Sequence, residues 1–126
     1  MVDERPGIRL MVFLTEDDRS SRRPLYQALL DRAREDGLAG ATVWRGVEGF
    51  GPSGRLRTTR FPDMATGLPL AVEVIDVAER IDAFVSGVKE LAPGALVTRE
   101  PVQMARRDLE TPRPLDDPSP KAGRRP

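Results

Sequence analysis

The chain of 126 residues contains no cysteine and no histidine. The first absence excludes disulfides, thiolate metal sites and cysteine nucleophiles, and the second removes the commonest general base and metal ligand. Most catalytic centres therefore lose their usual residues. We expect a protein that is not an enzyme and that holds neither a transition metal nor a cofactor.

An excess of charge of one sign is also missing, because 20 basic and 20 acidic residues cancel. A neutral chain lacks the global field that attracts nucleic acid, so we expect no nucleic-acid partner. No run approaches the roughly 20 apolar residues of a membrane span, and the charged segment 1–7 has no apolar signal core. These features predict a cytoplasmic protein without membrane insertion.

Apolar periodicity predicts four strands, at residues 8–14, 41–45, 68–75 and about 95–104. Between the first two strands, a helix begins near Pro24 and ends at Gly37, which suits a left-handed cap. A second helix precedes the last strand. For that helix we predict Asp76 as the cap, with Glu79 completing a capping box.

This order predicts an α+β fold, a ferredoxin-like βαββαβ sandwich with an antiparallel sheet and two helices on one face. Strands one and three lie in the middle, in agreement with their apolar composition. Pro101 places the last strand at an edge. Strand 8–14 is apolar toward both faces although the helices cover only one, which favours self-association.

The chain divides into a domain at residues 1–107 and a tail at 108–126. The tail is rich in proline and charge, and it has too few apolar residues to offset its ordering entropy, so we expect it to be disordered. Within the domain, residues 51–67 show neither a helical nor a strand period. A loop of this length in a compact domain is usually functional or disordered.

Several short motifs occur in a familiar order. The sequence resembles the PII signal-transduction proteins, whose second strand ends in Gly-Phe-Gly at the base of a partner-binding T-loop, and more closely the PII-like domain-of-unknown-function family 190. The motifs are Arg23-Pro24-Leu25-Tyr26, Ala33-Arg34-Glu35, residues 37–43, Gly46, Gly49-Phe50-Gly51 and Leu96-Val97-Thr98.

The resemblance implies a homotrimer with ligand clefts between subunits, close to the base of a T-loop at residues 51–67. The ligand would be a small anion, with an adenine nucleotide as one candidate effector. The regulated partner is unknown; because relatives are often encoded near fluoride-exporter genes, a membrane transporter or channel is a candidate. The ligand-binding residues would be Thr42, Gly49, Phe50, Gly51, Arg106 and Arg107.

Two departures from the PII pattern are visible. The turn before the last strand, Ala92-Pro93-Gly94-Ala95, lacks the glycine-rich loop and phosphate-binding lysine of nucleotide-binding PII proteins. This difference puts triphosphate binding in doubt. The loop also lacks the tyrosine that PII proteins modify, since the only tyrosine is Tyr26.

The residues themselves permit a functional and a plain interpretation. Gly49 and Gly51 can adopt positive φ and present N–H groups to an anion, or form an ordinary turn. Phe50 can stack on a base or pack inward.

The arginines also permit two interpretations. Arg55, Arg57 and Arg60 make the loop locally cationic, and they either bind an anion or acidic partner or are solvated side chains. Arg106 and Arg107 either contact phosphate or end a charged strand.

Two other features have plain explanations. Glu16, Asp17 and Asp18 are consecutive, so they fit a solvated turn better than the spaced ligands of a calcium loop. Trp44 fits an interface or the core.

The alternative function is a metal-binding trimer like the divalent-cation tolerance proteins of the same superfamily, although the lack of histidine and cysteine disfavours transition metals.

Overall fold

The structure is a computed structural model that describes residues 3–106. The predicted tail at 108–126 and Arg107 lie outside this part of the chain. Its elements are, in chain order, β1 (Asp3–Thr15), β2 (Arg19–Ser20), β3 (Arg23–Pro24), α1 (Leu25–Glu35), β4 (Ala41–Arg45), β5 (Glu48–Gly49), β6 (Arg57–Thr58), a 3-10 helix (Pro62–Met64), β7 (Pro69–Asp76), α2 (Ala78–Leu91) and β8 (Leu96–Arg106).

The main sheet has four antiparallel strands in the order β4-β7-β1-β8. The predicted ferredoxin-like fold is therefore confirmed, with the first and third long strands in the middle and the last at an edge. Pro101 lies on this edge strand opposite Ile8, where a missing N–H is tolerated. β1 and β8 are both longer than predicted because they pair with each other from Asp3 to Phe13.

One face of the sheet holds the hydrophobic core. Alternate residues of β1 and β7 point toward the two helices, as the period of a strand requires. They are buried together with the apolar stripe of each helix. The core consists of Leu10, Val12, Leu14, Leu70, Val72 and Val74 from the sheet, and Leu25, Leu29, Ala33, Ile81, Phe84, Val88 and Ala92 from the helices and their ends.

The first helix begins where the sequence predicts, but the cap of the second differs from the prediction. Helix α1 starts at Leu25 with Pro24 at its N-cap position, and it is followed by Gly37 at φ +76°, as expected. For α2 the predicted cap is wrong, because Val77 occupies the N-cap position and no side chain caps the helix.

Asp76 instead ends β7 with only 4% of its surface exposed. Its carboxylate accepts hydrogen bonds from the backbone N–H of Ala39 at 3.0 Å and of Val77 at 2.7 Å, and it contacts Arg80 at 3.2 Å. A buried carboxylate must be hydrogen-bonded, and these three donors satisfy it. Asp76 therefore joins the loop before β4 to the start of α2.

The other face of the sheet is not covered by the described residues. Large apolar side chains lie exposed on it, and the core alternative for Trp44 is wrong because 56% of its surface is exposed. Its other exposed apolar residues are Phe13, Ile75 and Leu96.

A polar ladder of side chains crosses this open face from one edge strand to the other. The indole N–H of Trp44 on β4 donates to Glu73 on β7 at 2.9 Å. Arg9 on β1 contacts both Glu73 and Glu100 on β8, each at 2.5 Å. Hydrogen bonds from Trp44 and then from Arg9 lower the pKa of Glu73. All four strands are thus linked by side chains on the face opposite the core.

Neither helix in residues 3–106 is long and apolar enough to cross a membrane.

Candidate functional site

The loop after β4 is partly ordered, which corrects the prediction that residues 51–67 lack regular structure. β5 and β6 pair as a short hairpin, with Glu48 opposite Thr58 and Gly49 opposite Arg57. Beside them, the N–H of Thr59 donates to the carbonyl of Val47 at 3.0 Å. The loop therefore has a hydrogen-bonded base and a separate tip at residues 50–56.

A side-chain clasp holds the base of the loop. Glu48 accepts a hydrogen bond from the hydroxyl of Thr58 at 2.9 Å and contacts Arg60 through both carboxylate oxygens, at 2.8 and 3.2 Å. Thr58 is fully buried. The hydrogen bond from Thr58, followed by that from Arg60, lowers the pKa of Glu48. Arg60 also lies 5.5 Å from the ring centre of Phe61, so this arginine is already engaged within the loop.

The tip of the loop is a turn that exposes its side chains. The N–H of Gly54 donates to the carbonyl of Gly51 at 2.9 Å, and Pro52 occupies the second position of this turn, where its fixed φ is favourable. Phe50 is 72% exposed, so the option that it packs inward is wrong. Arg55 is exposed beside it.

The glycines at the base serve close packing rather than positive φ. Within the described residues, glycines with positive φ are Gly37, Gly54 and Gly67, so the predicted positive φ at Gly49 and Gly51 is wrong. A Cβ on Gly49 would lie 3.2 Å from the ring of Pro69. A Cβ on Gly46 would lie 2.8 Å from the same ring. The loop thus leaves the sheet in contact with the first residue of β7.

A cleft of about 1150 Å³ opens between this loop and the turn that joins α2 to β8. Its volume is slightly above the usual range of small-molecule sites. Four segments form its walls. The first wall is the loop, at residues 49–53, 55 and 57. The second consists of residues 13–15 and 17–19 together with Leu25. Residues 67, 69 and 70 form the third wall, and residues 91–96 form the fourth.

Charge is distributed unevenly around the cleft. Arg55 and Arg57 lie on the loop wall, and neither guanidinium has a hydrogen bond or ion pair within the described residues. Asp18 and Arg19 also line the cleft, where Asp18 accepts the N–H of Thr15 at 2.9 Å and Arg19 donates to the carbonyl of Arg22.

Asp17 reaches toward Gly67, where its carboxylate would lie 2.4 Å from an added Cβ. The wall at residues 91–96 carries no ionisable side chain. The guanidinium carbon of Arg57 would lie 3.5 Å from the same added Cβ, so Arg57 and Asp17 are neighbours at Gly67. Arg55 and Arg57 nevertheless give the loop wall cationic groups that suit an anion.

The acidic turn is structural. Glu16 accepts the N–H of Leu68 at 3.0 Å and contacts Arg45 at 3.1 Å, so it joins the end of β1 to the chain before β7. Glu16 therefore departs from the solvated turn that the sequence predicted, whereas Asp17 and Asp18 are exposed as expected. Among residues 3–106 no group of three or more acidic side chains is placed to hold a metal ion.

The structure brings together five of the predicted site residues around the cleft: Gly49, Phe50, Gly51, Arg55 and Arg57. The remaining predicted residues lie elsewhere or outside the described part. Sequence reasoning missed Phe13, Asp17, Arg19 and Leu96, which reach the cleft because the ends of neighbouring strands meet there. Only their position at the ends of predicted strands could have indicated this.

Thr42 lies on β4 opposite Glu73 and does not line the cleft. Arg106 lies at the end of β8 opposite Asp3, whereas Leu96 at the other end lies opposite Phe13. Ten residues of extended chain separate these two ends, or about 33 Å. Arg106 therefore cannot reach the cleft of its own chain, and Arg107 lies outside the described residues.

The fold is shared with solved structures of low sequence identity. One is CPII, a nitrogen regulatory PII-like protein from Thiomonas intermedia K12, bound to ADP, AMP and bicarbonate. It has a TM-score of 0.60 and 15% identity, with 82% of this chain and 92% of that chain covered. The divalent ion tolerance protein CutA1 from Ehrlichia chaffeensis has a TM-score of 0.51 and 4% identity, with 75% and 78% covered. At these identities the likeness shows the PII-like fold alone.

The sequence comparison is more specific. A UPF0166 protein from Aquifex aeolicus strain VF5 is 38% identical over 95 residues, covering 75% of this chain and 90% of the relative. Residues 7–104 match the family DUF190, described as "Uncharacterized ACR, COG1993". This match includes both helices and almost the whole sheet, and the chain belongs to the DUF190 family.

Proposed function

We propose that this protein is a non-catalytic PII-like regulator that binds a small anionic ligand in its cleft and signals through the adjacent loop. The observation that carries the proposal is the position of Arg55 and Arg57. Both line a cleft of nucleotide size, and neither guanidinium makes a hydrogen bond or ion pair within the described residues. Guanidinium groups bind phosphate and carboxylate in a fixed, bidentate geometry.

An adenine nucleotide is our leading candidate for the ligand. The solved structure of CPII, which shares the fold, is bound to ADP, AMP and bicarbonate. Phe50 on the loop offers an aromatic surface in the cleft, with 72% of its surface exposed. An aromatic ring can stack on a nucleobase, whereas bicarbonate alone would use only the arginines.

We also propose that the protein is a homotrimer in which the open face of the sheet is covered by other copies. Four large apolar side chains on this face are exposed in the single chain, and soluble proteins rarely leave such patches uncovered. In a trimer, Arg106 of one copy could approach the cleft of another, which a single chain does not allow. Light scattering should give three times the chain mass of 13.9 kDa.

Ligand binding is tested by calorimetry of the full chain against AMP, ADP, ATP, cyclic AMP and bicarbonate. Trp44 lies just before the loop, so its fluorescence should report on the same titrations. Saturable binding of one of these compounds supports the proposal. If the protein is not an enzyme, chromatography after incubation should recover the nucleotide unchanged. No binding by any of the five would contradict it.

The proposed output of the loop is binding to a partner protein, for which a transporter or channel is a candidate. The exposed tip, residues 50–56, is the part of the loop free to touch another molecule. Capture of partners from a host lysate should depend on the tip and on the bound ligand. A chain with Phe50→Ser and Leu56→Ser should lose the capture while a chain with Arg34→Gln, changed on α1, retains it.

A further inference from the structure

A short hairpin before helix α1 places a serine at an exposed turn. β2 and β3 pair with Ser20 opposite Arg23, and the two residues between them, Ser21 and Arg22, form the turn. Both turn residues are exposed. The hairpin belongs to the segment that leads into α1, and it is not part of the open face that other copies are proposed to cover.

The backbone of Ser21 has an unusual conformation. Its φ is +54°, and among residues 3–106 it is the one residue other than glycine with a positive φ. A side chain is strained in this region, and glycine is the usual residue when the first turn position of a two-residue hairpin has positive φ. Residues held in such conformations cluster at functional sites. The chain therefore carries a hydroxyl group where backbone geometry alone favours glycine.

The hydroxyl of Ser21 is available for a reaction. It makes no hydrogen bond within the described residues. By contrast, the hydroxyl of Ser53 at the tip of the loop accepts the N–H of Arg55 at 3.2 Å. The neighbouring Ser20 is half-buried. Ser21 thus has the freest hydroxyl of the hairpin.

Three arginines flank this hydroxyl. Arg19 lies two residues before Ser21, and Arg22 and Arg23 follow it. The guanidinium of Arg19 lies at the turn, where it donates to the carbonyl of Arg22. Arg23 pairs with Asp31 on α1, and the side chain of Arg22 has no hydrogen bond or ion pair within residues 3–106. Arginines on both sides of an exposed serine suit an acidic substrate groove, and the same guanidinium groups can bind an attached phosphate.

Thr59 in the loop also lies between two arginines, but its setting is different. Its N–H is bonded to the carbonyl of Val47, and the arginine that follows it, Arg60, is paired with Glu48. β2 and β3 have only two residues each, so opening their turn breaks few hydrogen bonds. The position of Ser21 is therefore the more accessible of the two.

We propose that Ser21 is a phosphorylation site for a serine kinase that recognises arginine. The Ser21 hydroxyl oxygen forms a bond to the γ-phosphorus of ATP, the bond from that phosphorus to the β–γ bridging oxygen breaks, and ADP leaves. The hydroxyl proton passes to a base of the kinase. The phosphate, with a charge of about −1.5 to −2 at neutral pH, then binds Arg19 and Arg22.

The modification would also reach the cleft. Arg19 is one of the residues that line it, so a phosphate on Ser21 holds this arginine at the turn and adds negative charge at the edge of the cleft. The phosphorylation site is separate from the anion site proposed at Arg55 and Arg57, and it does not depend on that site.

The test uses the full-length chain in an extract of its host cells supplied with ATP and phosphatase inhibitors. Cleavage before aspartate gives residues 18–30 as one fragment, in which Ser20, Ser21 and Tyr26 are the only hydroxyl residues. Mass spectrometry should find phosphate on this fragment. Ser21→Ala should lose it, and so should Ser21→Gly, which suits the positive φ and keeps the hairpin folded. Ser53→Ala, changed at the exposed tip of the loop, should retain it.

A synthetic peptide of residues 16–26 in the same extract identifies the reason for a negative result. If the peptide is phosphorylated and the folded chain is not, the hairpin is inaccessible to the kinase. If neither is phosphorylated, the extract contains no kinase for this sequence. Either result overturns the proposal, as does phosphate that persists in Ser21→Ala or that is found on Thr59 instead.

The arginine contacts are tested by phosphorus NMR of the phosphorylated chain across pH. Guanidinium groups at the phosphate should hold the pKa of its second ionisation below the ordinary value of about 6. Arg19→Gln and Arg22→Gln should raise this pKa, and Arg34→Gln on the exposed surface of α1 should leave it unchanged. The same pKa in all four chains would mean that the arginines do not bind the phosphate. An arginine variant that is no longer phosphorylated would show that the kinase recognises that arginine.

Discussion

The two faces of the sheet use the same strands for different purposes. Toward the helices, β1 and β7 present Leu10, Val12, Val72 and Val74, all almost completely buried. Toward the other side, the same two strands present Arg9 and Glu73 in an ion pair surrounded by half-exposed apolar residues. The first face is sufficient to define the fold of one chain, whereas the second has the composition of a surface that another molecule covers.

The difference between the faces predicts unequal effects of one substitution. Ile81 is fully buried on the helix side, and Ile81→Ser leaves a cavity and places a hydroxyl in the core. We expect a loss of about 4 kcal/mol in the free energy of unfolding, measured by urea denaturation. If Ile81→Ser lowered the free energy of unfolding by less than a substitution at the surface does, Ile81 would not lie in the core.

Replacing an isoleucine by serine on the open face should instead weaken the association of copies of this chain. Ile75 is 39% exposed, so Ile75→Ser should barely alter the core. If other copies cover this face, the change weakens association by about 2 kcal/mol per buried side chain. Light scattering across a dilution series should show dissociation at higher concentration than for the wild-type chain. Identical dissociation curves would exclude Ile75 from the interface.

The ladder on the open face should make stability depend on pH. Folding lowers the pKa of Glu73 through the hydrogen bonds of Trp44 and Arg9. Its contribution is therefore present above the ordinary value of 4.5 and is lost as the pH falls through the lowered value. Wild type should exceed Glu73→Gln in stability by about 1 kcal/mol near neutral pH, and the difference should vanish in strong acid.

Urea denaturation of both chains at several pH values measures this difference. The carboxylates that do not share Arg9 titrate alike in both chains, so their contributions cancel in the comparison. A constant difference between wild type and Glu73→Gln across the acidic range would contradict a stabilising role for the charged form.

The smallest effect is expected for the clasp of the loop, which lies off both faces. Glu48→Gln removes the ion pair with Arg60 but keeps an acceptor for Thr58. The melting temperature should hardly change, because exposed ion pairs contribute little. Hydrogen exchange of the Thr59 amide, which is bonded to Val47, should become faster. The amides of β7 serve as the internal control, and equal acceleration there would mean global rather than local opening.

The parts of the fold that the sequence predicts correctly are those governed by local chemistry. The burial pattern of β1 and β7, the edge position of Pro101 and the left-handed Gly37 all follow from the residues themselves. The family resemblance located the loop. These features need no knowledge of which residues meet across the structure.

The errors concern contacts between distant segments. Aspartate is a common residue at helix N-caps, but the carboxylate of Asp76 accepts the N–H of Ala39, which belongs to a different loop. Gly49 packs closely against the ring of Pro69 and does not adopt a positive φ. Phe50 lies at the exposed tip because Glu48 and Thr58 close the hairpin below it. The position of Phe50 depends on the register of β5 and β6, which no local period reveals.

The contact of Pro69 with Gly46 and Gly49 has a consequence for the divergence of this family. A rigid ring at the start of one strand sets the angle at which an earlier segment departs from the sheet. Insertions or deletions between Phe50 and Leu56 can then change what the tip recognises without altering that angle. The tip can therefore change its binding partner while the contact of Pro69 with Gly46 and Gly49 stays constant. Among relatives, the tip should vary in length and composition more than these three positions.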